Sequence, residues 1–423
     1  MILLNKKRRT FLFWSCVFLF LVFFLFLSFS FFGVKVSFTE KAPKIEKTGA
    51  IYLEVEPDEK ISFFLDKKLA HPKKRLFGGY FFEALLPGRY FLEIKKEGYF
   101  EWKKSIEVLP ELVSFGKIKL IKKNLEENFV LKSNLPLMAV LEKEQKLIFK
   151  DKNQLKIFDL KEKKFEKKFL PKKLEIEKVF SFPFSSEKLL FLGKFSNQKE
   201  NSIFEFDLLE GKIKRLRKIK EKFFEINPKK GEIFLVDKEN NLVKENLFSK
   251  SKEIIPLDFL LTSSSTSSLE LEKIKLKDDR FLIFVKKEGK FVFDLERKKL
   301  LNEKPLKADF ILPDNEKLVF LNEGEIKIKY LKKIFSPVIR NKGKIDQLII
   351  FPSVKKIEFY KDHWHLFVLD GERLLFVELD PRKPVNFYPL SEKVKDFWYF
   401  EKEGFVLILK DNGSFFILKT DLT

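Results

Sequence analysis

Histidine is the first residue type to inspect for metal or catalytic chemistry, and the 423-residue chain contains three. His363 and His365 stand in the segment DHWHLFVLD, where on a β-strand their side chains would share one face and could bind the same metal ion. No third ligand of that type stands nearby in the sequence, and Trp364 between them is typical of an ordinary half-buried strand. His363 and His365 are candidate metal ligands whose spacing an ordinary strand also explains. His71, which precedes a proline in a turn, is expected to be exposed.

Aspartate recurs at the same place in several repeats of the chain, as Asp159, Asp207 and Asp294. Paired carboxylates can act as acid and base in glycoside hydrolysis, but a strand-end turn explains this recurrence. The sequence contains no Gly-x-Ser-x-Gly, no His-Glu-x-x-His and no phosphate-binding loop. The scarcity of histidine almost excludes a Ser-His-Asp nucleophile. We therefore predict a protein without catalytic residues and without a cofactor.

The elements that would position these residues begin with a basic tail and a long apolar segment. Residues 11–32, FLFWSCVFLFLVFFLFLSFSFF, carry no charge, and as a helix they would reach ~33 Å, enough for a hydrocarbon core of ~30 Å. Four basic residues precede the segment at 6–9, which predicts an N-terminus on the cytoplasmic side. The sequence thus predicts a cytoplasmic tail at 1–10, a transmembrane helix at 11–32 and a single-pass cell-membrane protein whose bulk is extracytoplasmic.

A cleaved signal peptide is the alternative interpretation of the same start. Its apolar region is usually ~7–15 residues long and ends at a small-x-small cleavage site, whereas this segment is longer and ends in Ser30-Phe31-Phe32-Gly33. Those bulky residues favour an uncleaved signal-anchor. Cys16 is the one cysteine, so no internal disulfide can form. Residues 33–48, which are polar and include a proline, are predicted to be a linker.

The composition is rich in phenylalanine and in basic residues, with 53 Phe, 84 Lys plus Arg, 62 Asp plus Glu and a formal net charge of +22. A basic chain with interleaved aromatic residues can bind nucleic acid. Here acidic residues stand among the lysines, as in KEKKFEKKFLPKK at 161–173, and no nucleic-acid-binding motif is present. We expect no nucleic-acid partner. The expected partners are the membrane and an extracytoplasmic protein or an anionic wall polymer or glycan.

Residues 49–121 alternate apolar and polar side chains in short runs separated by turn residues, which predicts a small β-sandwich. The segment LLPGRYFLEIKKEGYFEW at 85–102, followed by SIEVL and KIKL, resembles the PEGA domain. That family repeats Pro-Gly-x-Tyr, a strand, Lys-x-Gly-Tyr and a closing strand. The resemblance implies an extracytoplasmic β-module without assigned catalytic residues. The matching residues here are Pro87, Gly88, Tyr90, Lys96, Gly98, Tyr99 and Trp102, with Pro57 at the end of the opening strand.

Residues 124–423 contain a sevenfold repeat. An apolar strand recurs near residues 147, 189, 233, 282, 318, 366 and 406, and a second strand follows each copy, with successive second strands 36–48 residues apart. That period matches a four-stranded blade of ~40–50 residues and predicts a seven-bladed β-propeller. Its pattern is similar to the divergent WD40-like and TolB-like propellers. The chain ends before a fourth strand of the last blade, so Phe129-Val130-Leu131 is expected to supply it. TSSSTSS at 262–268 is predicted to be a rim loop.

The predicted fold class is all-β apart from one N-terminal transmembrane helix, with a PEGA-like sandwich at 49–121 and a propeller at 124–423. The function that these features favour is a non-enzymatic, membrane-anchored cell-surface protein whose propeller is a protein- or glycan-binding scaffold. Two alternatives stay open: an extracytoplasmic carboxylate-dependent glycan hydrolase or lyase, and a ligand sensor that signals through the span.

Overall fold

A computed structural model of the chain describes residues 6–31, 34–39, 42–75, 78–260, 270–277, 279–335 and 337–420. Within these ranges, side chains are described at 9–24 and, apart from Phe259, from residue 47 onward. β-strands account for most of the structure, as the sequence predicted. The predicted rim loop at 262–268 lies outside the described residues.

The N-terminal helix α1 (Lys6–Phe31) has described side chains over residues 9–24. Within the described residues, no helix combines the length and the apolar character needed to cross a bilayer. The predicted single-pass membrane localisation is therefore wrong, and the transmembrane helix predicted at 11–32 is not confirmed. Cys16 is exposed on α1.

The predicted linker at 33–48 contains regular structure. β1 (Val34–Thr39) and β2 (Ala42–Lys47) pair as an antiparallel hairpin, with Val34 opposite Lys47 and Thr39 opposite Ala42. The segment VKVSFT alternates apolar and polar residues, a period that favours a strand. Its length of only six residues hid this alternation in the sequence.

Eight strands come next and enclose one apolar core; we call this unit the sandwich. They are β3 (Gly49–Glu56), β4 (Ser62–Leu65), β5 (Lys68–Ala70), β6 (Lys73–Lys74), β7 (Tyr80–Leu85), β8 (Gly88–Lys95), β9 (Trp102–Val108) and β10 (Val113–Lys119). One sheet has the order β10-β3-β7-β6, with β10 parallel to β3, and the other has the order β5-β4-β8-β9. Alternating burial turns Leu53, Leu92, Trp102 and Ile106 into the core between them.

The described residues between 127 and 419 form seven four-stranded antiparallel sheets, numbered here I to VII in chain order. A separate strand, β11 (Glu127–Lys132), precedes sheet I. Sheets I to III consist of β12 (Leu137–Leu141), β13 (Lys146–Asp151), β14 (Gln154–Asp159) and β15 (Lys164–Phe169); β16 (Leu174–Ser181), β17 (Lys188–Phe195), β18 (Ser202–Asp207) and β19 (Ile213–Lys218); and β20 (Phe224–Asn227), β21 (Glu232–Val236), β22 (Asn241–Asn246) and β23 (Lys252–Pro256).

Sheets IV to VI continue the same order after a 3₁₀ turn at Asp258–Leu260. They consist of β24 (Leu271–Lys277), β25 (Phe281–Lys286), β26 (Gly289–Asp294) and β27 (Lys299–Leu300); β28 (Phe310–Pro313), β29 (Lys317–Asn322), β30 (Glu325–Tyr330) and β31 (Ile345–Ile350); and β32 (Val354–Phe359), β33 (His365–Asp370), β34 (Arg373–Glu378) and β35 (Phe387–Ser391). Sheet VII combines β36 (Val394–Phe400), β37 (Phe405–Lys410) and β38 (Ser414–Lys419) with β11.

The second strand of each sheet is largely buried. All six residues of β33 are buried, as are four of the five residues of β21. Both faces of such a strand must be covered, which explains why these segments lack the alternation of a half-exposed strand. The apolar strand predicted to recur through the repeat is confirmed as this second strand.

Consecutive sheets pack against each other through separate apolar clusters. Ile157 and Phe191 belong to the cluster between sheets I and II, and Ile283 and Phe320 to the cluster between sheets IV and V. Seven such clusters link neighbouring sheets in the described part of the chain, and the last one joins sheet VII back to sheet I. The arrangement is that of a β-propeller, as predicted.

The strand β11 joins the start of the sheet region to its end. It pairs antiparallel with β38, with Leu131 opposite Phe415, and Leu131 packs into the cluster between sheets VII and I. Glu127 Oε1 accepts hydrogen bonds from Ser391 Oγ at 2.6 Å and from Lys410 Nζ at 2.9 Å. The expectation that residues 129–131 supply the fourth strand of the last sheet is confirmed.

Candidate binding site at the channel mouth

The first strands of the sheets line the centre of the propeller, where β12 contacts β16, β20 contacts β24, and β28 contacts β32. The turns between the first and second strands meet at one end of this central channel and enclose a cavity of about 620 Å³. We call this cavity the mouth. Six of the seven sheets contribute to its lining, and its volume is within the range of ~300–1,000 Å³ that ligand-binding pockets occupy.

Short polar side chains fix the turns that form the mouth. Asp314 Oδ1 accepts hydrogen bonds from the backbone N–H of Glu316 at 2.6 Å and of Lys317 at 2.7 Å. Asp362 Oδ1 accepts them from the N–H of Trp364 at 2.8 Å and of His365 at 3.0 Å. Each carboxylate therefore stabilises the turn two and three residues ahead of it. These turns place Asp314 and Trp364 in the lining of the mouth.

Aromatic rings and a buried lysine form part of the wall. The Lys317 side chain is 1% exposed, its Nζ lies 2.7 Å from Asp314 Oδ2, and the same Nζ lies 4.1 Å from the centroid of the Trp364 ring. His363 stacks on Phe359 with ring centroids 4.8 Å apart. A cation held against aromatic faces in this way shows that the wall accommodates positive charge.

The mouth is more acidic than the rest of the chain. Although the protein carries a net charge of +22, the charged residues that line the mouth are six carboxylates and four permanent cations. All six carboxylates belong to sheets V, VI, VII and I or their turns, whereas three of the cations belong to sheets III and IV or their turns. The carboxylates are Glu142, Asp314, Glu316, Glu358, Asp362 and Glu401, and the cations are Lys229, Lys277, Arg280 and Lys317.

The carboxylates of the mouth differ in acidity. Burial raises the pKa of Glu142, and the nearby Lys229 and Lys356 oppose the shift, although this side chain remains accessible from the channel. Burial also acts to raise the pKa of Asp314, but hydrogen bonding from His363 and the charge of Lys317 outweigh it and hold this pKa below its usual value. Burial also acts to raise the pKa of Asp362. The charge of His365 and the hydrogen bond from its ring outweigh burial and lower this pKa. One cavity thus holds carboxylates of opposite tendency.

The two histidines selected from the sequence lie at this site but do not share a strand face. His363 lies in the turn before β33 with φ 57°, its side chain is 47% exposed, and its Nδ1 is 3.7 Å from Asp314 Oδ2. His365 is the first residue of β33, is buried, and has Nδ1 2.7 Å from Asp362 Oδ2. Because the backbone at His363 is left-handed, the two imidazoles contact different aspartates. The prediction that the two histidines share one strand face is therefore wrong. His71 is exposed, as expected.

The recurring aspartates are turn residues, as predicted. Asp159 Oδ1 accepts from the N–H of Lys161 and Glu162, and Asp207 Oδ1 accepts from those of Leu209 and Glu210. Asp294 makes the same contacts two and three residues ahead and also pairs with Arg280, whose Nη2 lies 2.7 Å from Asp294 Oδ2. Arg280 lines the mouth, so Asp294 holds one of its cations in place.

The sandwich lies beside the mouth. Lys119 Nζ of β10 donates to Tyr360 Oη at 2.8 Å, and Tyr360 lines the mouth. The Phe100 and Tyr388 rings pack with centroids 5.4 Å apart, and the Ser105 N–H donates to the Lys383 carbonyl oxygen at 2.7 Å. The sandwich therefore packs against sheet VI and contacts Tyr360 from the side of the mouth lining.

Comparisons with known proteins find similar solved structures but no matching family. No protein-family model and no curated protein matches the chain, so the PEGA resemblance gains no support. Among solved structures, the β-propeller domain of Cps50 (Swd1) from Myceliophteria thermophila is 11% identical with a TM-score of 0.43, over 69% of this chain and 99% of that chain. Hydrazine synthase from Kuenenia stuttgartiensis is 10% identical with a TM-score of 0.41, over 69% of this chain and 98% of that chain.

Most of the residues that line the mouth were not predicted from the sequence. Asp314 and Asp362 stand in the turns PDNEK and KDHWH at equivalent places in sheets V and VI, and this equivalence was the available signal. No feature of the sequence distinguishes Glu142 and Glu401 from the many other acidic residues, because only the folded arrangement of sheets brings their turns together.

Proposed function

We propose that the chain is a protein-binding scaffold whose seven sheets form one closed seven-bladed ring. We also propose that the mouth binds an extended segment of a partner protein, whose basic side chains contact the carboxylates of the mouth. The observation that carries this proposal is the excess of carboxylates in a cavity with aromatic walls, within a chain of net charge +22. We also propose that the sandwich is a PEGA-like module, supported by the turn at Gly98, where φ is 76°, and by the buried Trp102.

Charge complementarity favours a basic segment over an acidic one. Most of the surface of this protein repels basic ligands, so a locally acidic opening selects where such a ligand docks. Trp364, Phe359 and Tyr399 add aromatic surface, which attracts lysine and arginine side chains through cation–π contacts. An extended backbone suits the mouth because its lining comes from the turns of several sheets and forms no single deep slot.

The test is the binding of fluorescent eight-residue peptides to the full chain, measured by anisotropy. One peptide contains lysine alternating with glycine, and the matched peptide contains glutamine in place of lysine. We expect the lysine peptide to bind more tightly, and we expect the double variant Glu142→Gln with Glu401→Gln to weaken its binding roughly tenfold, which corresponds to ~1.4 kcal/mol.

The control for this test changes the same net charge far from the mouth. Glu162 and Glu166 are exposed at and near the outer strand of sheet I, and their replacement by glutamine leaves the mouth intact. If this control pair weakens lysine-peptide binding as much as the mouth pair does, the attraction is general electrostatics and the proposal fails.

A second candidate function is carboxylate-dependent hydrolysis or cleavage of a glycan. One observation favours it, namely the raised pKa of Glu142 beside the lowered pKa values of Asp314 and Asp362 in the same cavity. A general acid and a general base in one active site differ in pKa in this way. Cleavage of a polysaccharide by the full chain that Glu142→Gln abolishes would support it, and an unchanged panel of polysaccharides would exclude it.

A further inference from the structure

A second cavity, of about 80 Å³, lies where the sandwich meets sheets V and VI. We call it the junction slot. Its apolar walls are Phe115 of β10, Pro337 of the loop after β30, and Trp364 of the turn before β33. Each wall comes from a different part of the chain, so the slot exists only while the sandwich is docked.

The junction slot and the mouth are neighbours. Asp362 and Trp364 line both cavities. A single segment bound at the mouth can therefore reach the slot with a further side chain.

The carboxylates around the slot are already satisfied by internal donors. Asp362 accepts from His365, Asp380 accepts from Arg382 Nε at 2.8 Å, and Glu378 accepts from Trp102 Nε1 at 3.2 Å. A cationic side chain entering the slot would have to compete with these donors. It would also meet Lys117, which is exposed at the sandwich side of the slot. The surface that remains for a ligand is the apolar wall.

The volume of the slot limits the kind of apolar side chain. An engineered protein cavity of ~150 Å³ holds a benzene molecule, and the junction slot is about half that size at 80 Å³. A branched aliphatic side chain such as that of leucine, isoleucine or valine suits this volume, whereas an aromatic ring does not.

We infer that the junction slot is a binding site for one branched aliphatic side chain of the same partner segment whose basic side chain binds at the mouth. This inference rests on the proposed function and adds a specificity to it. Phe115 is the specificity-determining residue, because its ring forms the sandwich wall and packs on Tyr52 with centroids 5.7 Å apart. The sandwich thereby becomes part of the binding site of the propeller.

The experiment uses an array of eight-residue peptides probed with the full chain. Each peptide has one fixed lysine, one position that is leucine, phenylalanine or alanine, and glycine or serine elsewhere, with every spacing between the two represented. At one preferred spacing, we expect leucine to bind about tenfold more tightly than alanine, as expected for burial of an aliphatic side chain, and phenylalanine to gain nothing.

Two substitutions of Phe115 should change the side-chain preference of the junction slot in opposite ways. Phe115→Trp fills the slot, so the leucine advantage should fall below about threefold while the dependence on lysine stays. Phe115→Ala enlarges the slot, so phenylalanine should gain at least as much as leucine. Phe169→Trp is the matched control, since Phe169 is 71% exposed on the outer strand of sheet I and its replacement should change neither preference.

The outcomes separate this inference from the proposed function. Equal binding of leucine and alanine peptides at every spacing, or a leucine advantage that survives in a folded Phe115→Trp protein, overturns the junction slot. A lysine peptide that binds no better than its glutamine counterpart overturns the proposed function, whatever the leucine preference. A preference for lysine without a preference for leucine would support the proposed function and would contradict a binding role for the junction slot.

Discussion

Lys104 of the sandwich and Glu378 of sheet VI form a buried ion pair, with Nζ 3.1 Å from Oε2 and side chains that are 0% and 5% exposed. Lys104 Nζ also donates to the carbonyl oxygens of Asp380 at 3.1 Å and Arg382 at 3.0 Å. Glu378 in turn accepts from Asn386 Nδ2 at 2.8 Å. Both charges of this pair have further polar partners, and the pair joins the sandwich to sheet VI.

Replacing Lys104 with methionine should destabilise the protein by ~3–5 kcal/mol, because Glu378 would keep a buried charge without its counterion. Urea unfolding of the full chain measures the loss. Lys103→Met is the matched control, since its side chain is 38% exposed, and it should cost under ~0.5 kcal/mol. Adding Glu378→Gln to Lys104→Met should recover part of the loss. Equal stability of the two lysine variants would show that the pair does not hold the sandwich.

Leu131→Ala should destabilise the protein by ~2–4 kcal/mol, because Leu131 is buried in the cluster that joins sheets VII and I. Phe129→Ala, two residues earlier on the same strand, should cost less than ~1 kcal/mol, since Phe129 is 58% exposed. Thermal unfolding compares the two. Deletion of residues 124–132 should lower the melting temperature further than either substitution. A deletion that leaves melting unchanged would contradict closure by β11.

Glu225→Gln should raise the melting temperature at neutral pH by roughly 1–2 °C. Glu225 lies on β20, the first strand of sheet III, and its burial there raises its pKa. Its stabilising contribution is therefore complete below the ordinary glutamate pKa and is lost as pH rises through the folded-state value. The charged form therefore weakens the wild-type protein at pH 7, and glutamine removes that cost. The difference between variant and wild type should shrink toward pH 4.

Calorimetry at several pH values checks the Glu225 prediction. Glu303→Gln serves as the control, because Glu303 is exposed and its replacement should give no such pH-dependent difference. A stabilisation by Glu225→Gln that is the same at pH 4 and pH 7 would argue against a titrating carboxylate in the channel.

As the pH falls, lysine-peptide binding should begin to weaken at a higher pH than it would if every glutamate of the mouth had an ordinary pKa. Glu142 has a raised pKa, so it loses its negative charge at a higher pH than an ordinary glutamate does. Anisotropy titrations between pH 4 and pH 8 should show a steep loss in the wild type and a shallower one in Glu142→Gln. Identical pH profiles for the two proteins would remove Glu142 from the binding surface.

The sequence by itself determined the repeating architecture. Period-2 alternation predicted the strands of the sandwich, and the recurrent fully apolar strand predicted the seven sheets, because a strand covered on both faces cannot alternate. It also placed Phe129 to Leu131 against the last sheet, since an unpaired edge at that point is costly. Local turn chemistry was readable as well, as at Asp159 and Asp207, because an aspartate caps backbone N–H groups only two or three residues ahead.

Tertiary structure alone decided the site and the charge pairs. Lys104 occupies an inward position of β9, beside Trp102 and Ile106, and sequence patterning gives no reason to bury a lysine until Glu378 lies opposite it. Glu142 and Asp362 are more than 200 residues apart and share a cavity because the ring brings their turns to one centre. Strand periodicity depends on residues that are neighbours in the sequence, so it can be recognised from the sequence alone. Burial, pKa and binding depend on residues distant in sequence, which only the folded ring brings together.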